Sequence, residues 1–268
     1  MHRINKFILY RASRRLCFED INLEFDKKIM YTDMSEAKLY LIPSPMGISD
    51  PKHIFPEYNW EVISNIKYFV VENIRTARRF LKLMDKNIVI DDLHFEVLDK
   101  HTKYELYSPF LEPIKAGHDI AVISEAGCPG VADPGAEITL LAHQKDIRVV
   151  PLIGPSSILL AQMASGLNGQ SFAFNGYLPI KGDFVAKEIK KLEQRSKQEN
   201  QTQIFIEAPY RNMQLLDVML KTLSPNVKLC IAVGLTTEQE LVKTKTVQQW
   251  KGHLPSIHKI PAIFLFLA

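Results

Sequence analysis

The chain has 268 residues, 46% of them apolar and 24% charged, ordinary globular proportions that exclude a disordered or low-complexity polypeptide. At about 150 residues per domain the length suits two modest domains, and the longest apolar run, 262–268, falls far short of the ~20 residues of a membrane-spanning helix, so a soluble protein is expected. The formal net charge is +3, and residues 1–33 hold seven Lys/Arg against five Asp/Glu, which leaves 26 against 25 for the rest. A near-neutral body excludes a basic field over the whole surface, and any nucleic-acid partner would need a local patch.

Cys17, Cys128 and Cys230 are odd in number and far apart, which argues against a disulfide scaffold or a zinc ribbon. The eight histidines form no H-E-x-x-H pattern, and no metal site is expected. The default compartment is a reducing cytoplasm.

In chain order, residues 1–36 read as an extension, disordered or preceding the native start. Arg3 to Arg15 is basic but lacks the run of about 7 to 15 apolar residues of a secretory signal. Met34 opens directly onto the apolar run Leu39 to Ile42 and is the expected working start. From there, short apolar runs bounded by Pro, Gly or charge alternate with helical spacing. Leu39 to Ile42, Tyr68 to Val71, Ile120 to Ser124 and Val149 to Ile153 read as buried strands. Asn73 to Met84 and Glu137 to Gln144 read as helices between them. This alternation predicts an α/β fold with a mostly parallel sheet. In the second half Phe172 to Phe174, Gln203 to Ile206, Lys228 to Val233 and Ile260 to Leu267 read as strands, with a charged helix from Asp183 to Lys197. The expected organisation is one α/β domain over 37–155, a second over 156–268, and a cleft between them.

Three turns follow predicted strands: Pro43-Ser44-Pro45-Met46-Gly47, the Gly- and Pro-rich run Ser124 to Gly135, and Gly154-Pro155-Ser156-Ser157. In a parallel sheet they converge on one edge, where α/β folds bind ligands. Glycine lets a backbone approach a ligand closely and proline limits its freedom. None is a G-x-G-x-x-G or Walker-type loop. Ser156 or Ser157 can cap the next helix, or leave its first N–H groups as donors to a ligand.

These segments, with Ala164-Ser165-Gly166-Leu167, Gly176-Tyr177-Leu178-Pro179 and Glu207-Ala208-Pro209-Tyr210-Arg211, occur in the order found in the RsmI-type methyltransferases. The chain resembles that family, the 16S ribosomal RNA branch of the tetrapyrrole methylase superfamily, from about Leu39 to its C-terminus. The resemblance implies a two-domain tetrapyrrole methylase-like fold, S-adenosylmethionine in the interdomain cleft, a homodimer, and methylation of a cytidine ribose 2′-hydroxyl in small-subunit ribosomal RNA. It implies a cofactor site of Pro43, Gly127, Cys128, Val131, Ala132, Ser156 and Ser157, with Ala208, Pro261 and Ala262 on the second wall. Cys128 stands where the family pattern has Thr, and reads as a space-filling thiol or a reactive one.

Val71 to Arg79 resembles the family's A-E-D-T-R-x-T segment, with Asn73 in place of Asp. Arg75, Arg78, Arg79 and Lys82 lie within about two helical turns, as a phosphate-binding patch or a solvated helix face. Glu72, at a strand end, is the candidate to take a proton from the acceptor. The family's R-E-L-T-K becomes Val233-Gly234-Leu235-Thr236-Thr237, and the helix after Pro179 offers Lys181 and Lys187. The donor side is therefore kept better than the acceptor side. Two other readings are a methyltransferase for a tetrapyrrole or other small molecule, and a non-catalytic cofactor-binding module.

Overall fold

A computed structural model describes residues 37–98, 102, 107–180 and 182–268. The readings on residues 1–36, including Met34 and Cys17, and on Lys181 fall outside the described residues.

The first half builds a five-stranded sheet. Its elements are β1 (Lys38–Ile42), α1 (Glu57–Asn65), β2 (Tyr68–Val71), α2 (Ile74–Met84), β3 (His94–Val97), α3 (Tyr107–Phe110), α4 (Glu112–Lys115), β4 (Ile120–Ile123), α5 (Gly135–Gln144) and β5 (Arg148–Pro151). The strand order is β3-β2-β4-β1-β5, and every pairing is parallel. The unbroken apolar run of β4 follows from cover on both faces. Tyr40, Ile42, Phe69, Val71, Ala121 and Ile123 pack on α1 and α2 through Ile63, Phe80, Leu81 and Met84. Their sequence neighbours Leu39, Val70, Ile120 and Val122 point the other way, onto Ile114 of α4 and Ile138, Leu141 and Ala142 of α5.

The second half begins with α6 (Ser157–Ser165), β6 (Phe172–Tyr177), α7 (Gly182–Glu199), β7 (Thr202–Glu207) and α8 (Asn212–Thr222). It ends with β8 (Lys228–Val233), β9 (Leu241–Thr246), α9 (Val247–Trp250) and β10 (Ala262–Leu267). This sheet, ordered β6-β7-β10-β8-β9, is mixed: β6 runs parallel to β7, and the other pairs are antiparallel. One face carries Phe205, Leu229, Ile231, Phe264 and Phe266 under Ile189 and Leu192 of α7 and Leu216 and Met219 of α8. The opposite face carries Ile204, Cys230, Ala232, Ile263 and Leu265, partly covered by Ala161 of α6, with Met46 from the turn after β1 packed against it. Among the described residues no helix is long and apolar enough to cross a membrane.

The sequence reading places most strands within a residue or two, but it misses β3, β9, α1, α8 and the short helices α3, α4 and α9. β3 is an edge strand whose side chains are largely exposed, and β9, Leu-Val-Lys-Thr-Lys-Thr, is another. Lysines on an edge strand discourage pairing with other chains, and they also hide the strand from a search for apolar runs.

The turns after β1, β4 and β5 interlock. Ser44 and Gly127 exchange backbone hydrogen bonds of 2.9 and 3.0 Å. A Cβ placed on Gly154 would lie 2.4 Å from Pro43 Cβ and 3.2 Å from the Phe55 ring. Gly154→Ala is therefore expected to lower stability by about 1–3 kcal/mol through overpacking, measured as a lower midpoint in urea unfolding.

Candidate functional site

A cleft of about 380 Å³ opens where the carboxyl edge of the first sheet meets the half-open face of the second, within the roughly 300–1,000 Å³ of small-molecule sites. The first sheet contributes Glu72 from the end of β2 and Ser124 to Asp133 from the loop after β4, apart from Pro129 and Gly130. Ser156, Ser157 and Ile158 come from the start of α6. The second sheet contributes an apolar wall of Phe174, Ile206, Ala232, Leu235, Pro261, Ala262 and Ile263.

The loop after β4 is held open by its own backbone. Gly127 (φ +75°), Gly130 (φ +78°) and Ala132 (φ +62°) are left-handed, the last an unusual state for a residue with a Cβ, costing about 1–3 kcal/mol. Asp133 Oδ1 accepts from the amides of Gly130 and Gly135, at 2.5 and 2.8 Å, and so closes the loop onto α5. Cys128 donates its thiol to the Pro155 carbonyl at 3.4 Å. Burial and, secondarily, the Asp133 charge raise its pKa. The hydrogen bond joins the loop after β4 to the turn after β5, and a raised pKa disfavours the thiolate that a reactive cysteine needs. Ser156 occupies the N-cap position of α6 but makes no side-chain capping bond, so the first N–H groups of that helix are available at the cleft.

Three carboxylates stand on the first-sheet side: Glu72, Glu125 and Asp133. Glu72 Oε1 accepts from the Glu125 amide at 3.4 Å, and the Thr76 hydroxyl bonds the Glu125 carboxylate. Burial raises the Glu72 pKa; the Glu125 amide opposes this, while the charges of Asp133 and Glu125 reinforce it. Burial also raises Asp133, against its two amide bonds.

Of the residues proposed from sequence, the cleft gathers Glu72, Gly127, Cys128, Val131, Ala132, Ser156, Ser157, Pro261 and Ala262. Pro43 lies behind it, against Gly154, and Ala208 sits between the lining residues Glu207 and Pro209 without lining it. Arg75, Arg78 and Arg79 are exposed on α2, outside the cleft, with Arg78 5.4 Å over the Phe95 ring. The Asn73 side chain caps α2 by accepting from the Arg75 and Thr76 amides, a role open equally to the family's Asp. Sequence reasoning missed Met46, Phe174, Tyr177 and Glu207 as site residues, and Ile206, Ala232 and Ile263 on the wall from β7, β8 and β10. Strand alternation put the latter on a face, but nothing in the sequence marked that face as open. Glu207, buried to 4% side-chain exposure, is paired with Arg211 and bonds the Ala208 amide at 2.7 Å, which fixes the turn after β7.

A cradle of backbone amides and serines, facing an apolar wall at the edge of a parallel sheet, defines a site of small-molecule size. The fold is the tetrapyrrole methylase-like one: the solved methyltransferase CobJ aligns over 86% of this chain and 94% of its own, with a TM-score of 0.58 and 14% identity. No protein-family model matches the chain. The ribosomal RNA small subunit methyltransferase I of Vibrio cholerae serotype O1 is 30% identical over 206 residues, 76% of this chain and 67% of that protein. Its counterpart from Mesorhizobium japonicum is 36% identical over 219 residues, 81% of this chain and 70% of that protein. The chain belongs to the ribosomal RNA small subunit methyltransferase I family and is a methyltransferase.

A carboxylate whose pKa is raised on folding binds protons more tightly in the native state, so it lowers stability as pH climbs from the unfolded value through the raised one. Glu72→Gln removes that effect. The melting temperature of the variant relative to the parent is therefore expected to rise between pH 4.5 and pH 8, as measured by thermal melts across that range.

Proposed function

We propose that this chain transfers a methyl group from S-adenosylmethionine to the 2′-hydroxyl of a cytidine in small-subunit ribosomal RNA. The observation that carries the reading is the cleft itself: an amide-rich loop, the uncapped start of α6 and an apolar wall, in a member of this family. The lining fits the donor chemically. Apolar side chains of β7, β8 and β10 suit a purine ring, Ser156 and Ser157 at the start of α6 suit polar ends, and the carboxylates suit a cationic sulfonium. S-adenosylmethionine supplies a methyl group already activated for displacement, so the protein's work is to bind, orient and exclude water. The cleft residues would orient the acceptor oxygen toward the bound donor, and orientation of this kind is worth about 7–11 kcal/mol in well-aligned systems. Glu72, whose pKa is raised by burial, takes the hydroxyl proton.

Arg75, Arg78 and Arg79 hold backbone phosphates of the acceptor strand. They lie on the helix whose first turn meets the cleft loop through Thr76 and Glu125. We take each sheet with its helices as a domain, 37–155 and 156–268, since α6 packs on the second sheet. The functional unit in this reading is a homodimer, and it acts in the cytoplasm, where ribosomal subunits are. Leu159 and Met163, one turn apart on α6, together with Ile153 are exposed apolar side chains suited to a contact between copies. A small-molecule acceptor is the less favoured reading, because the named acceptor of the relatives is ribosomal RNA.

With labelled donor and small subunits lacking the modification, the expected product is labelled 2′-O-methylcytidine after nuclease digestion. Donor binding without labelling of the subunits would transfer the assignment to a small acceptor. Ser156→Trp is expected to abolish donor binding by filling the cleft, as read by calorimetry. Replacing all three arginines by Ala is expected to leave donor affinity unchanged. The same change should reduce the log–log salt slope of RNA binding by about 2–3, at roughly 0.7–0.9 for each phosphate no longer neutralised.

A further inference from the structure

The end of β6 departs from regular strand geometry where it reaches the cleft. Side chains three residues apart on a strand point to opposite faces, so Phe174 and Tyr177 would be divided between the two sides of the sheet. Instead the register on β7 shifts: Phe174 lies opposite Ile204 and Tyr177 opposite Ile206. Three steps along β6 thus match two along β7, and Gly176, at φ +64°, lies within the irregular stretch. The extra residue restores parity, and both rings line the cleft beside Ile206. Bulges of this kind re-aim side chains next to sites.

The two rings have different surroundings. Phe174 is half-buried and, like Ile158 and Ile206, packs against the buried apolar cluster of the second sheet. Tyr177 is 62% exposed, and no described residue hydrogen-bonds its hydroxyl. The buried ring belongs to the wall of the donor site, and the exposed one is what a planar group entering from solvent meets. On the first-sheet side of the cleft, Thr76 ties the start of the arginine-bearing helix to Glu125, so phosphates are held from one sheet and the exposed ring is offered by the other.

We propose that Tyr177 stacks on the base of the acceptor nucleotide and thereby holds its ribose over the cleft. This rests on the RNA-acceptor reading above and adds a residue that positions the acceptor. A planar heteroaromatic ring is also part of the donor, so the test separates the two sources.

Tyr177→Leu and Tyr177→Phe are compared with the parent protein in methyl transfer to small subunits lacking the modification, and in calorimetric binding of S-adenosylmethionine. Loss of one base–aromatic stack predicts that Tyr177→Leu lowers kcat/KM for the subunits by about 5- to 150-fold. Donor affinity should stay at the parent value, and Tyr177→Phe, which keeps the ring, should recover most of the transfer. The proposal is overturned if Tyr177→Leu transfers at the parent rate, or if donor affinity falls by the same factor as transfer, which would put the ring on the donor. It is equally overturned if the Phe variant is as impaired as the Leu variant. Failure of the underlying RNA reading is seen in the parent alone, as donor binding with no label in the subunits.

Discussion

The paired backbone hydrogen bonds between Ser44 and Gly127 join two turns that a parallel sheet would otherwise leave independent. Parallel strands cannot be linked by tight hairpins, so each turn at the carboxyl edge belongs to a separate crossover and has no neighbour in sequence to steady it. Here the turn after β1 is tied to the loop after β4, and Ser124 adds a side-chain bond to the same Gly127 carbonyl at 2.9 Å. The turn after β5 is held in two ways, by Gly154 against Pro43 and by the Cys128 thiol on Pro155. The three turns form one rigid rim. The loop so tied carries the left-handed Ala132 and the amides closed around Asp133, and fixed geometry of this kind is what catalysis by orientation uses.

The second sheet contributes by being incompletely covered. One of its faces is fully packed beneath α7 and α8, whereas α6 covers only part of the other. The remainder, from Ile206 to Ala232 and Ile263, is the apolar wall of the cleft. Neither half of the chain makes the site alone: the first supplies backbone donors and carboxylates, the second apolar surface and rings. Met46 from the first turn packs on the second sheet, and a Cβ on Gly47 would meet the Thr237 side chain at 2.4 Å. The two halves therefore meet closely beside the cleft.

Charge is partitioned along the same line. Glu72, Glu125 and Asp133 make the first-sheet side of the cleft acidic, which favours a cation and repels phosphate. The arginines of α2 lie outside it, on the exposed face of a helix whose buried side is Ala77, Phe80, Leu81 and Met84. In the proposed reading an anionic strand would be drawn to these arginines and its phosphates kept from the acidic interior. This would reconcile a near-neutral body with a polyanionic acceptor, since the field that matters is local.

Much was legible in the residues themselves. The apolar runs of β1, β2, β4 and β8 announce strands because buried strands leave no room for polar side chains, and Asn73 marks the start of α2 because its carboxamide satisfies orphan amides. Gly and Pro located the three turns, and with the parallel alternation they located the site at one sheet edge. What required the tertiary structure was anything dependent on which surfaces remain uncovered. Alternation in β7 and β10 assigns Ile206 and Ile263 to a face but is silent on whether a helix covers it. The bulge at Gly176 that turns Tyr177 into the cleft exists only relative to β7, and the raised pKa of Glu72 arises from burial against a loop some fifty residues away. The sequence alone determined the buried strands, the turns and the edge at which they meet. The depth, charge and open wall of the site were decided by packing between segments distant along the chain, because burial and register are properties of pairs and local sequence encodes only one partner of each.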